Sequence, residues 1–143
     1  MTLRKAEAIW QGTLKEGSGN FTVGSGAIAA PYTWASRFGD DVTKTNPEEL
    51  VGAAHAACYA MFLSAQLTTA GFPPTRIQAD AVIDFGKDDR GPMFNSITLN
   101  VEAQVPGVSQ QQFDELAQKS KEGCPISRAL ASVPITLNAK LVS

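Results

Sequence analysis

Three side chains in this sequence have the chemistry for covalent or proton-transfer work: Cys58, Cys124 and the sole histidine, His55. The cysteines stand 66 residues apart. Neither belongs to a CxxC pair, and one histidine adds no second imidazole, so the spacing meets no zinc pattern and neither a metal nor a cofactor is expected. The N-terminus, Met1 to Trp10, alternates charged and apolar residues without the apolar stretch of a signal peptide. The protein is therefore expected in the cytoplasm, where thiols are kept reduced and a structural disulfide is uncommon. What is left is thiol chemistry or two inert buried cysteines, and free cysteine is among the most buried residue types.

Only a thiolate is a strong nucleophile, and a free thiol ionises at about pH 8.5. Cys58 lies deep in an apolar run between Ala57 and Tyr59, where desolvation raises that value. It is a core residue unless a cation stands beside it. Cys124 falls between Gly123, which can end one helix, and Pro125, which can open the next at its first position. That puts it at an N-cap, where free backbone N–H groups and the positive end of the helix dipole favour a thiolate. A tight Gly-Cys-Pro joint between helices accounts for the same residues without chemistry. His55 precedes Cys58 by three residues and shares its helix face. A nucleophile and a base on one rigid helix rarely reach hydrogen-bonding geometry, and no Asn or Asp orients the ring. A buried, hydrogen-bonded histidine is expected instead of a Cys58–His55 hydrolase.

The elements that must position these residues are legible from capping and periodicity. Asn46-Pro47-Glu48-Glu49 is a strong helix start: Asn46 suits the N-cap, Pro47 the first helical position and Glu49 the capping-box position. From Leu50 to Leu67 the strongly polar residues are His55, Ser64 and Gln66, and Gly71 with Pro73-Pro74 ends the run. Its length approaches that of a membrane span, yet its small residues and flanking carboxylates mark a buried helix. Ala6, Ala8, Trp10 and Gly12 alternate as a half-buried strand, and Gly17 to Asn20 reads as a turn before short strands at Phe21–Val23 and Ala27–Ala30. Residues 31–45 read as an irregular, task-bearing loop. Ala79, Ala81, Ile83 and Phe85 alternate as one strand, and Ile97 to Val105 as a second, joined by a loop over Gly86 to Pro92. Ser109 and Gln112 form a second capping box, opening a helix to Gly123. Cys124-Pro125 starts a short helix, and Ile135 to Leu141 alternate as a last strand.

At 143 residues the chain makes one domain, residues 1–143. A hydrophobic share of 43% with 18% charged residues is globular rather than disordered. A net charge of −2 offers no basic footprint, so neither nucleic acid nor a membrane is an expected partner. Runs of strands rather than strict strand–helix alternation argue an α+β fold, an antiparallel sheet packed on the long buried helix. One sheet covers only one side of a helix apolar nearly all round. The other side needs a second helix or a second subunit, and an obligate homodimer is expected.

Asn46-Pro47-Glu48-Glu49-Leu50-Val51-Gly52-Ala53-Ala54-His55-Ala56-Ala57-Cys58 resembles the helix signature of the OsmC/Ohr family of thiol-dependent hydroperoxide reductases. Gly123-Cys124-Pro125-Ile126-Ser127 resembles that family's second cysteine motif, and the similarity spans essentially the whole chain. The resemblance implies an intertwined α+β dimer. It makes Cys58 the peroxidatic cysteine, which becomes a sulfenic acid, and Cys124 the resolving cysteine, which closes a disulfide with it. Arg37, in Ser36-Arg37-Phe38, corresponds to the activating arginine and Glu48 to the carboxylate that holds it. An Arg-Phe just before the Asn-Pro-Glu-Glu helix is the OsmC arrangement; the Ohr branch takes its arginine nearer the N-terminus, where Arg4 fits poorly.

The implied activity is reduction of organic hydroperoxides, and more weakly hydrogen peroxide, in stress defence. A dithiol, of the lipoyl type, would recycle the disulfide. An arginine suits the task because a cation within about 4–6 Å lowers a neighbouring acid's pKa by roughly 1–3 units. Glu48 in a first helical turn is also explained by the helix dipole alone. Tyr32, Trp34, Phe38, Tyr59, Met61 and Phe62 are candidates for an apolar substrate pocket, or plain core. The alternative is a non-enzymatic binding protein that takes a small apolar ligand at the dimer interface, with both cysteines as packing residues.

Overall fold

A computed structural model describes residues 2–142. The element order is β1 (Ala6–Gln11), β2 (Ser18–Val23), β3 (Ala29–Tyr32), α1 (Trp34–Phe38), α2 (Pro47–Thr69), β4 (Arg76–Asp88), β5 (Gly91–Gln104), α3 (Gln110–Gly123), α4 (Pro125–Ala129) and β6 (Ile135–Val142). Two compact units divide at Leu50/Val51, inside α2.

The first unit holds an antiparallel sheet in the order β1-β2-β3. The expected turn at Gly17 to Asn20 is instead the start of β2, with Ser18 opposite Gln11 and Gly19 opposite Trp10. The reason is packing. A Cβ on Gly19 would stand 2.6 Å from Trp10 and 2.7 Å from Tyr32, so the glycine lets two rings lie over the strand. β1 is an edge strand, exposed apart from the partly covered Trp10. The irregular stretch also gains order: Thr33 caps α1, accepting from the Ser36 N–H at 3.2 Å while Ser36 Oγ accepts from the Thr33 N–H at 2.9 Å. At the next helix start, the Glu49 N–H donates to Asn46 Oδ1 at 2.8 Å, and Asn46 Nδ2 donates to Glu49 Oε1 and to the Ser36 carbonyl. Asn46 thus caps α2 and ties it to α1.

The second unit is a three-stranded sheet in the order β4-β5-β6, with the body of α2 and helices α3 and α4. β4 and β5 extend across most of the expected loop, leaving only Asp89 and Arg90 between them. β6 pairs with β5 in parallel, because the chain returns through α3 and α4 before pairing. The sheet is therefore mixed. Ile97, Leu99, Val101 and Ala103 of the central strand are buried, and the last three pack with Tyr59, Leu63 and Leu67 of α2 and with Phe113 and Ala117 of α3. Burial of that set is the main stabilising term, at roughly 1.5–3 kcal/mol for each large side chain.

α2 has 23 residues and ends as its sequence asks: Phe72 N–H reaches the Leu67 carbonyl at 2.8 Å across Gly71, whose φ of +94° suits glycine. By length and composition this helix could cross a membrane. Its burial is one-sided rather than all-round. Gly52, His55, Tyr59, Leu63 and Leu67 form the covered stripe, while Ala53, Ala54, Ala57 and Ala65 are exposed and Met61 is 76% exposed.

Candidate active site

Each candidate residue sits where a local rule puts it. In the first unit, Arg37 is in α1 and Glu48 in the first turn of α2, positions brought together by the Asn46 ties just described. Arg37 Nη2 donates to Glu48 Oε1 at 2.8 Å, and Nε donates to Oε1 at 3.1 Å and to Oε2 at 3.3 Å. The carboxylate is thus gripped along one edge of the guanidinium, a geometry lysine cannot supply. Glu48 is buried, whereas the Arg37 side chain is 38% exposed and lies over the Phe38 ring at 5.1 Å. Beside it, Trp10, Leu14, Tyr32, Trp34 and Phe38 line a cleft of about 210 Å³ that Arg37 closes on one wall. Of the six expected pocket residues, three are therefore here; Tyr59 is buried core and Met61 stands on the exposed face of α2.

In the second unit, Cys58 and Cys124 meet. Cys124 Sγ donates to Cys58 Sγ at 2.8 Å, and both are free thiols. The convergence follows from the elements: Cys58 is on α2, while Cys124 is the residue at which α3 stops and α4 starts. Its N–H donates to the Ser120 carbonyl at 3.0 Å, closing α3, and Gly123 lets the turn press against Phe62, since a Cβ there would come within 2.8 Å of the ring. Tyr59, one residue beyond Cys58, donates its hydroxyl to the Ala117 carbonyl at 3.0 Å and anchors α2 on α3. Burial pushes that phenol well above its ordinary pKa.

The N-cap expectation for Cys124 is met in position and differs in effect. Its side chain makes no capping bond to α4. The backbone N–H of Ile126, at the open end of α4, addresses Cys58 instead and favours its thiolate. Burial outweighs that help. It pushes the Cys58 thiol up, and the touching Cys124 sulfur adds to the rise, because two adjoining sulfurs resist ionising together.

His55 is fully buried, as expected, and Nε2 lies 2.7 Å from Ser127 Oγ of α4. Burial holds its pKa below the ordinary value, so the ring is neutral at pH 7. Ser127 and the Ile126 N–H are the contributors that sequence reasoning did not single out. The signal available for Ser127 was its spacing, three residues after Cys124, which mirrors the spacing of His55 and Cys58. Among the described residues, no cluster of three or more His, Cys, Asp and Glu is placed to hold a metal.

Comparison with known proteins accounts for both motifs at once. The family profile described as OsmC-like protein matches residues 39–138, a span containing Glu48, Cys58 and Cys124 and starting two residues after Arg37. Peroxiredoxin OsmC of Escherichia coli (strain K12) is 43% identical over 141 residues, covering 98% of this chain and 97% of that protein. Organic hydroperoxide resistance protein-like 2 of Staphylococcus epidermidis (strain ATCC 35984) is 26% identical over 103 residues, 72% of this chain and 70% of that one. The crystal structure of an OsmC-like protein from Mycoplasma pneumoniae shares the fold, with a TM-score of 0.77 at 15% identity over 99% of each chain. With a family match over most of its length and a full-length relative at 43% identity, this α+β chain belongs to the OsmC family.

Proposed function

We propose that this protein is a thiol-dependent peroxidase of organic hydroperoxides, working in a reducing compartment. The observation that carries the reading is the approach of two free sulfurs to 2.8 Å on facing helices. The names of its relatives, a peroxiredoxin and a hydroperoxide resistance protein, support the same chemistry. In this reading the Cys58 thiolate attacks the distal peroxide oxygen, the O–O bond breaks, and the leaving alkoxide takes a proton to become an alcohol. Cys58 is left as a sulfenic acid. The Cys124 thiol then condenses with it, forming the S–S bond and releasing water, and an external dithiol returns both sulfurs to thiols.

Cys58 needs a cation for the first step, because burial and Cys124 both oppose its ionisation and one backbone N–H does not offset them. We assign that role to Arg37, with Glu48 gripping one edge of its guanidinium. The exposed apolar face of α2 supports a homodimer, with a second copy covering Met61 and the alanines around it.

The test is a thiol count. One equivalent of cumene hydroperoxide should take the free thiols from two per chain to none. Cys58→Ser should abolish the reaction, while Cys124→Ser should stop at a sulfenic acid that dimedone traps. In the same assay Arg37→Gln should slow thiol loss at neutral pH by roughly ten- to a thousandfold, the loss of thiolate that 1–3 pKa units represent. Retention of both thiols in the wild-type protein would leave a passive binder of apolar ligands as the better account.

A further inference from the structure

The cysteine contact has a companion that the peroxidase chemistry leaves unused. His55 and Cys58 are three residues apart on α2, so both face the same neighbour. Cys124 and Ser127 are three residues apart at the start of α4. The two pairs meet as two rungs: Sγ to Sγ at 2.8 Å, and His55 Nε2 to Ser127 Oγ at 2.7 Å. The second rung is buried. His55 is 0% exposed and Ser127 4%, and His55 Nδ1 is buried without a hydrogen-bond partner.

A buried histidine with one nitrogen unsatisfied is costly, and an apolar residue of similar size would avoid the penalty. Retaining it makes sense if Nε2 does something a hydrocarbon cannot. α4 is only five residues long, and its N-cap side chain makes no capping bond. So short a helix has little stability of its own, and its placement must come from tertiary ties. The sulfur rung cannot serve throughout, because its atoms change bonding when the pair is oxidised and reduced. The imidazole–hydroxyl rung is untouched by that chemistry.

We infer that His55 and Ser127 are a positioning pair, a redox-inert latch that keeps α4 docked on α2 so that Cys124 stays within bonding reach of Cys58 in the reduced protein. The inference rests on Cys58 and Cys124 being a redox pair, but not on peroxide being the oxidant.

The test accordingly closes the bridge with glutathione disulfide. Each protein dithiol gives one protein disulfide and two glutathione thiols, and the equilibrium constant measures how well the sulfurs are prearranged. Ser127→Ala should lower that constant about five- to tenfold, the worth of one hydrogen bond of about 1 kcal/mol or slightly more. Ser127→Thr, which keeps the hydroxyl, should recover most of the loss. Sulfenic acid formation at Cys58 with cumene hydroperoxide is read separately in the wild-type protein: its absence would remove the peroxidase reading and leave the latch to be decided by the glutathione constant alone. An unchanged constant in a folded Ser127→Ala protein would overturn the latch. A second measurement needs no variant. The amide hydrogens of Arg128 and Leu130, bonded to the Cys124 and Ile126 carbonyls of α4, should exchange equally slowly in reduced and oxidised wild-type protein. Protection that appears only on oxidation would mean that the disulfide, not His55, holds the helix.

Discussion

Cysteine and histidine are read differently by burial, and both readings matter at residue scale. Desolvation disfavours the charged form of each, so it makes Cys58 a poor nucleophile by itself and keeps His55 neutral. For a base whose folded pKa is depressed, the folded state binds fewer protons than the unfolded chain as pH falls below the ordinary value. Stability from the neutral ring is thus fully present above about pH 6.5 and is lost as pH falls further. His55 is the chain's only histidine, so this window belongs to it. The urea midpoint of the wild-type protein should decline between pH 7 and pH 5.5, and His55→Gln should flatten that slope. An identical slope in the two proteins would show that the ring carries no such linkage. The sequence was enough to expect a buried histidine; the identity of its partner needed α4 to be folded back onto α2.

At the scale of elements, caps were the most legible features. Asn46, Ser109 and Gly71 begin or end helices as local chemistry demands, because capping depends on residues within one turn of each other. Asn46 adds a long-range tie to the Ser36 carbonyl, so it both starts α2 and orients the segment that carries Arg37. Asn46→Ala should cost about 1–2 kcal/mol by urea denaturation, at the upper end for a cap because a second hydrogen bond is lost with it. A cost below about 0.5 kcal/mol would show that the Ser36 tie contributes nothing. Strand boundaries were less legible where glycine has two meanings. Gly19 looks like a turn residue next to Gly17 and Ser18, yet it lies in β2 because rings from β1 and β3 need its bare face. Nothing local distinguishes those uses.

At the scale of the whole molecule, the expectation of a helix covered on every side meets a chain that covers one side. Met61, at 76% exposed, is an unbranched apolar side chain among exposed alanines, a surface suited to close helix approach. If a second copy completes it, sedimentation should give twice the 15.1 kDa chain mass at micromolar concentration. Met61→Glu should shift the protein toward monomer by placing a charge in the buried contact. A wild-type monomer would remove the homodimer from the proposal.

The sequence by itself determined the class of elements, their caps and the family, because each depends on short spacings or on a motif written contiguously along the chain. It predicted α2 as buried nearly all round, whereas the structure covers one stripe of it. It also placed Cys58 on a helix and Cys124 at a helix joint. Tertiary structure alone decided that their sulfurs meet across 66 residues, that Cys58 rather than Cys124 receives the benefit of the α4 terminus, that Ser127 answers His55, and that β6 returns in parallel. Those outcomes depend on how far and in which direction the chain turns back between Gln104 and Ile135, and no local periodicity records the direction of a return.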